Sequence, residues 1–223
     1  MTTPWKPPLS EFSFASLLVY AKNDQSRIGR AAFRTVQDVK SDGRSVRDPD
    51  KRVIVAIAEN VAENRETYPF GSILTDSTVL VPIPRSAPLR AGDVWPPMLI
   101  AEELHRVGFG TAVEPLIVRV KGVPKSSTSK PGERALSEVH YESMRLSSGQ
   151  PRLLSEITLI DDVVTRGRTS LGAAARLRDA YPGVSITLFT VARTCSLVTN
   201  MESYIQPFVG RIRFRDGDTN RDD

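Results

Sequence analysis

Cysteine is almost missing from this chain of 223 residues: Cys195 stands alone, which excludes an intramolecular disulfide and any cysteine-rich zinc site and fits a reducing compartment. Histidine is nearly as scarce, with only His105 and His140. Neither lies near Cys195 in sequence, so Cys195 reads as a packed or half-exposed thiol rather than a nucleophile. No G-x-x-x-x-G-K-[ST] run occurs, which excludes a Walker-type phosphate loop. No apolar run is long enough to span a bilayer, and no basic-then-apolar segment opens the chain, so the cytoplasm is the expected location. Internal repeats are absent as well. Charge of either sign is close to balanced, with 30 Lys and Arg against 26 Asp and Glu, a net +4. That is compatible with an anionic substrate and too weak to argue nucleic-acid binding without a basic patch.

What is present has the composition of a globular domain. Residues 1–11 open with a Pro-rich arm in which Trp5 packs on the body or on a partner. The apolar stretch 12–20 is ambiguous between helix and strand. From Ser26, a candidate cap, the spacing of Ile28, Ala31, Ala32 and Val36 predicts a helix, and 52–64 predicts a second. Segment 12–75 is therefore expected to be a helical extension, packed on a sheet or forming a hood. Residues 78–83 (T-V-L-V-P-I) read as a buried parallel-type strand, which Pro82 and Pro84 bring to an end. A helix closed by Gly108 follows Asp93, and 112–120 reads as another strand. His105, on that helix, is expected to face solvent or line the core. Val139, Tyr141 and Met144 suggest a hairpin strand, and 184–192 a further strong one. The charged tail 211–223 is expected to fray. Strand and helix alternate in the order of one α/β domain with a parallel sheet flanked by helices, its core spanning 76–210.

The chemistry concentrates at residues 157–175, I-T-L-I-D-D-V-V-T-R-G-R-T-S-L-G-A-A-A. An apolar strand leads to Asp161 and Asp162, then to a turn holding Thr165, Gly167 and Thr169, then to an Ala-rich helix. Free N–H groups and the positive end of a helix dipole suit an anion, and the threonine hydroxyls add donors. The two carboxylates are acceptors suited to vicinal hydroxyls, and Gly167 lets the backbone approach a phosphate. Receiver domains and magnesium-dependent phosphatases also carry an acid pair after a strand, but early in the chain. Here only about sixty residues follow, room for roughly one helix and one or two strands.

The run D-D-V-V-T-R-G-R-T resembles the phosphoribosyl pyrophosphate (PRPP) signature of the type I phosphoribosyltransferases. The resemblance implies a type I phosphoribosyltransferase-like fold, ribose hydroxyls on Asp161 and Asp162, and the 5′-phosphate wrapped by Val164, Thr165, Arg166, Gly167, Arg168 and Thr169. Arg166 stands where a small residue is usual; it either adds a phosphate contact or points to solvent and leaves the backbone at work. Within the superfamily the chain is most similar to the ComF-like members. V-P-I-P, L-I-A-E-E-L, Ser-Thr-Ser before E-R, and I-T-L-I-D-D-V-V-T follow their order over 79–192, about half the chain. It departs from them in lacking their cysteine-rich zinc segment and their R-G-F-N-Q element, where it has A-G-D-V-W-P-P.

The resemblance makes P-I-P-R-S the pyrophosphate loop, with Arg85 and Ser86 as donors. The basic, Gly-, Pro- and Ser-rich segment 121–134 has the composition of a mobile loop and carries Lys121, Lys125, Lys130 and Arg134. Such a loop suits a lid, because an oxocarbenium-like ribose must be kept from water. The expected function is transfer of phosphoribosyl from PRPP to a nitrogen base, with Mg2+ held through the ligand's phosphates and waters rather than directly by the protein. The base would be chosen by the hood and by residues after Val191. A homodimer is implied by family habit. The alternative is a non-catalytic module that senses PRPP or a nucleotide and reports to a protein partner.

Overall fold

The computed structural model describes residues 5–21, 24–45, 48–124, 134–148, 153–195 and 205–222. Nine strands and five helices are described, in the order β1 (Glu11–Tyr20), α1 (Arg27–Ser41), α2 (Val53–Glu63), β2 (Val79–Pro82), α3 (Pro96–Arg106), β3 (Ala112–Val113), β4 (Ile117–Arg119), α4 (Ser137–Glu142), β5 (Met144–Leu146), β6 (Glu156–Val164), α5 (Arg168–Ala180), β7 (Ser185–Thr194), β8 (Ile205–Arg215) and β9 (Asp218–Asp222). Seven strands form one sheet in the order β3-β2-β6-β7-β1-β8-β9. The first five are mutually parallel, and β8 and β9 add an antiparallel edge.

Apolar side chains cover both faces of the sheet, as a mostly parallel sheet requires. One core gathers Val36 and Val39 of α1, Ile54 and Ile57 of α2 and Leu104 of α3 against Leu80, Ile160 and Phe189. The other gathers Leu171, Ala174 and Leu177 of α5 against Val81, Leu159 and Leu188. Glu103, nearly buried on α3, accepts from Arg52 at 2.5 Å and from Arg106 at 2.5 Å, and Arg52 also meets Asp42 at 3.3 Å. This network fixes where α1 ends. Ser26 caps α1 as expected, its hydroxyl accepting from the Gly29 N–H at 2.9 Å.

Several sequence expectations are corrected. The segment 12–75 is not wholly a helical extension: its first ten or so residues are β1, set between β7 and β8. Phe14 and Ala15 are fully buried there, and β-branched and aromatic side chains fit that two-sided burial better than a helix stripe. The tail 211–223 is not frayed over its described part, which completes β8 and forms β9. Alternation decided this, because Ile212 is buried between Arg211 and Arg213, which pair with Glu11 at 2.8 and 3.0 Å. The strand expected over 112–120 divides at Pro115 into β3, in the main sheet, and β4, which pairs only with β5. Val139 and Tyr141 lie on helix α4, and only Met144 enters a strand. Packing selects the helix: a Cβ at Gly172 of α5 would come within 2.7 Å of the His140 Cβ, and Arg176 lies over the Tyr141 ring at 3.7 Å. Trp5 packs on the body, its ring 5.7 Å from Tyr141 and 5.5 Å from Phe214.

Candidate functional site

The carboxyl ends of β2 and β6, the start of α5 and the described ends of the segment between β4 and α4 converge at one place. Strand β6 continues through the acid pair to Val164, so Asp161 and Asp162 sit on regular sheet backbone, with Asp161 opposite Thr190 of β7. The Asp162 N–H donates to Asp161 Oδ1 at 2.9 Å. Burial first, and the neighbouring Asp162 charge second, push the Asp161 carboxyl well above the usual carboxylate range. The pair therefore offers one carboxyl that favours its proton and one that is ion-paired, since Asp162 Oδ2 lies 3.5 Å from Lys40 Nζ of α1.

The turn after β6 is held open by Gly167, whose φ of 86° is in the left-handed region. Gly167 stands at the N-cap position with no side chain to accept from the first turn of α5, so it leaves those N–H groups uncapped, as an anion site would need. Thr169 Oγ1 lies 3.3 Å from His140 Nε2. Arg166 and Arg168 both reach Asp218 of β9: Arg168 donates at 2.7 and 2.5 Å and Arg166 at 3.2 Å. Arg166 is 58% exposed, so the turn presents backbone rather than guanidinium groups inward. Arg221 of β9 donates to the Val164 carbonyl at 3.1 Å.

The P-I-P-R-S loop leaves β2 tied to β6 by the Ile83 N–H, which donates to the Ile160 carbonyl at 2.9 Å. Arg85 is paired with Asp93 at 3.1 Å, and the Ser86 carbonyl accepts from the Val123 N–H at 2.8 Å. Lys121 is exposed beside this stem, and the Arg134 carbonyl accepts from Arg168 at 3.1 Å. Both described ends of the expected lid are thus fastened at the site, while Lys125 and Lys130 lie outside the described residues.

Two residues central to this junction carried no assignment in the sequence. Arg119 of β4 is 5% exposed and donates to the Arg85 carbonyl at 2.8 Å and to Ser143 Oγ at 2.5 Å. Its buried Nη2 has no hydrogen-bond partner among the described residues. Burial lowers its pKa to about 10, so it stays cationic. His140 lies 3.5 Å from Arg119 Nη1 and is held down to about 3 by burial first, then by Arg119 and Arg168; it is neutral. The signal for Arg119 was present: it stands two residues after buried Ile117, so the period of a strand turns it inward. His105, by contrast, is exposed and rests its ring nitrogen on the Phe109 and Gly110 carbonyls. Cys195, half-buried, follows β7 and donates its N–H to the Tyr20 carbonyl.

Comparison with known proteins adds nothing to the geometry: no family model matches the chain, and no curated protein matches it. The α/β sheet and the convergence of these loops stand on the structure alone. Among the described residues, no helix is long and apolar enough to cross a membrane.

Proposed function

We propose that the chain is a type I phosphoribosyltransferase that transfers phosphoribosyl from PRPP to a nitrogen base and releases pyrophosphate. The observation that carries this reading is the buried Arg119 Nη2, a cationic donor with no hydrogen-bond partner among the described residues, on a side chain whose Nε donates to the Arg85 carbonyl. An unsatisfied buried N–H is costly, and an anionic ligand oxygen would relieve that cost. Around it, the first turn of α5 would take the 5′-phosphate, Asp161 and Asp162 the ribose hydroxyls, and Arg119 with the N–H groups of the 83–86 loop the pyrophosphate. Arg85 joins them if the ligand draws it from Asp93. Tyr20 and Phe33, rings 6.0 Å apart and Phe33 40% exposed, offer a face for a planar base.

Among the described residues no group of three or more His, Cys, Asp or Glu converges to hold a metal. Two carboxylates beside an anion site do fit a magnesium ion that takes phosphate oxygens and waters as ligands. When bound, magnesium would neutralise charge on the leaving pyrophosphate. The protein's own part is positioning and exclusion of water.

A sensing module that binds PRPP without chemistry is the second reading. It is favoured by the commitment of Arg166 and Arg168 to Asp218, which removes two guanidinium groups from the turn. Calorimetric titration of PRPP with and without magnesium tests both readings, because both require binding. Pyrophosphate release with a panel of bases then separates them. Asp162→Asn is expected to weaken binding or turnover at least roughly tenfold, a loss of about 1.4 kcal/mol. Unchanged behaviour of that variant would remove the acid pair from the mechanism.

A further inference from the structure

Helix α1 brings a cation to the acid pair that the PRPP signature does not include. Lys40 sits in the last turn of α1, and its Nζ lies 3.5 Å from Asp162 Oδ2. The backbone that carries it is fixed on both sides. Val39 is 1% exposed in the core, and Asp42, in the left-handed conformation, caps the helix and pairs with Arg52 at 3.3 Å. The Val53 N–H donates to the Gly43 carbonyl at 2.9 Å, closing the link to α2. The head group is less confined, with the Lys40 side chain 38% exposed. Its charge also reaches the Tyr20 hydroxyl at the end of β1 and the carboxyl of Asp161. A part-exposed ammonium on an anchored backbone is a cation placed to follow a ligand.

A sugar phosphate approaching Asp161 and Asp162 brings like charge toward a half-buried carboxylate pair, which opposes binding. A divalent ion held by the ligand can offset that repulsion, and so can a cation supplied by the protein. Resting on the phosphoribosyl reading above, we propose that Lys40 is a positioning residue for the ligand: a resident counter-cation of the acid pair that lets the site hold a ribose phosphate before magnesium arrives. With Lys40 in place, Asp162 keeps its orientation toward the ribose hydroxyls and the net charge beneath the ribose stays near neutral. Without it, that neutralisation falls to the metal. The interaction is local and electrostatic, so it should depend on charge rather than on the shape of the side chain.

The test is calorimetric titration of ribose 5-phosphate into the wild-type chain, Lys40→Met and Lys40→Arg, without magnesium and in magnesium excess. Met retains the apolar stem of Lys40 and Arg retains its charge, so the pair separates charge from packing. Lys40→Met is expected to bind about tenfold more weakly without magnesium, and to recover most of that loss in magnesium excess. Lys40→Arg is expected to remain near wild type in both conditions. Equal binding by wild type and Lys40→Met without magnesium overturns the inference while leaving the phosphoribosyl reading intact. An equal loss in both conditions also overturns it, since that marks a structural role. No binding by the wild type in either condition overturns the phosphoribosyl reading, and this inference falls with it.

Discussion

Gly167 shows how much the turn between β6 and α5 depends on single positions. Its φ of 86° disfavours any side chain, and a Cβ there would come within 2.8 Å of Ile212 on β8. Gly167→Ala is expected to destabilise the fold by about 1–3 kcal/mol, read from urea midpoints. Adding Ile212→Ala should return the steric part of that loss and leave the backbone part, so the two substitutions should be less than additive. His140 makes a separate statement about pH. Its folded pKa of about 3 lies below the ordinary value of 6.5, so the unfolded chain binds more protons between those values. Stability from keeping His140 neutral is therefore complete above about pH 6.5 and is lost as pH falls toward 3, by about 1.4 kcal/mol per pH unit. Asp161, raised from 3.8, acts in the opposite sense: its contribution is present below 3.8 and is lost as pH rises through its folded value. Urea unfolding of wild type and His140→Gln across this window isolates the histidine, and parallel pH profiles would show that it does not govern acid unfolding.

The C-terminal hairpin is the element that most changes the picture of the site. Asp218 of β9 gathers Arg166 and Arg168, Arg221 holds the Val164 carbonyl, and Ile212 of β8 rests against Gly167. The turn is clamped from outside its own strand–turn–helix unit. Asp218→Asn is expected to cost about 1–3 kcal/mol, because Arg168 is largely buried and would lose its charged acceptor. A midpoint shift in urea checks it, and a shift smaller than Gly167→Ala produces would rank the clamp below the turn's own backbone. Little of this was legible in the sequence. Strands β2, β6 and β7 and helices α1, α2, α3 and α5 announced themselves because periodicity, caps and prolines agreed. In β1 the apolar run fitted two periods, and only its neighbours in the sheet decide for a strand. In β8 the alternation of Arg with Ile and Phe was present but hidden by charge. The acid pair and the glycine turn were readable as local patterns. Arg119, His140, Lys40 and Asp218 were not, since their importance comes from contacts across 50 residues of chain in Arg168–Asp218 and 34 in Arg119–Arg85.

Across the whole molecule, the sheet ends unevenly. The β3 edge is two residues long, and the β9 edge carries Asp218, Arg221 and Asp222 among its five residues. Short and charged edges both discourage pairing with a second sheet, so an assembly of this chain would use helices or loops rather than extend the sheet. The centre has a different consequence. Strand β1 is made well before its neighbours in the sheet, for Phe14 is paired with Leu188 on one side and Gly210 on the other. Those partners lie 174 and 196 residues further along the chain (188 − 14 and 210 − 14), so the middle of the sheet cannot close until β7 and β8 have both been made. Refolding should accordingly take milliseconds to seconds rather than microseconds, as distant pairings impose. Stopped-flow fluorescence of the two tryptophans measures it. Until then, Phe12, Phe14, Leu17 and Leu18 are an apolar strand without neighbours, the kind of segment chaperones shelter during synthesis.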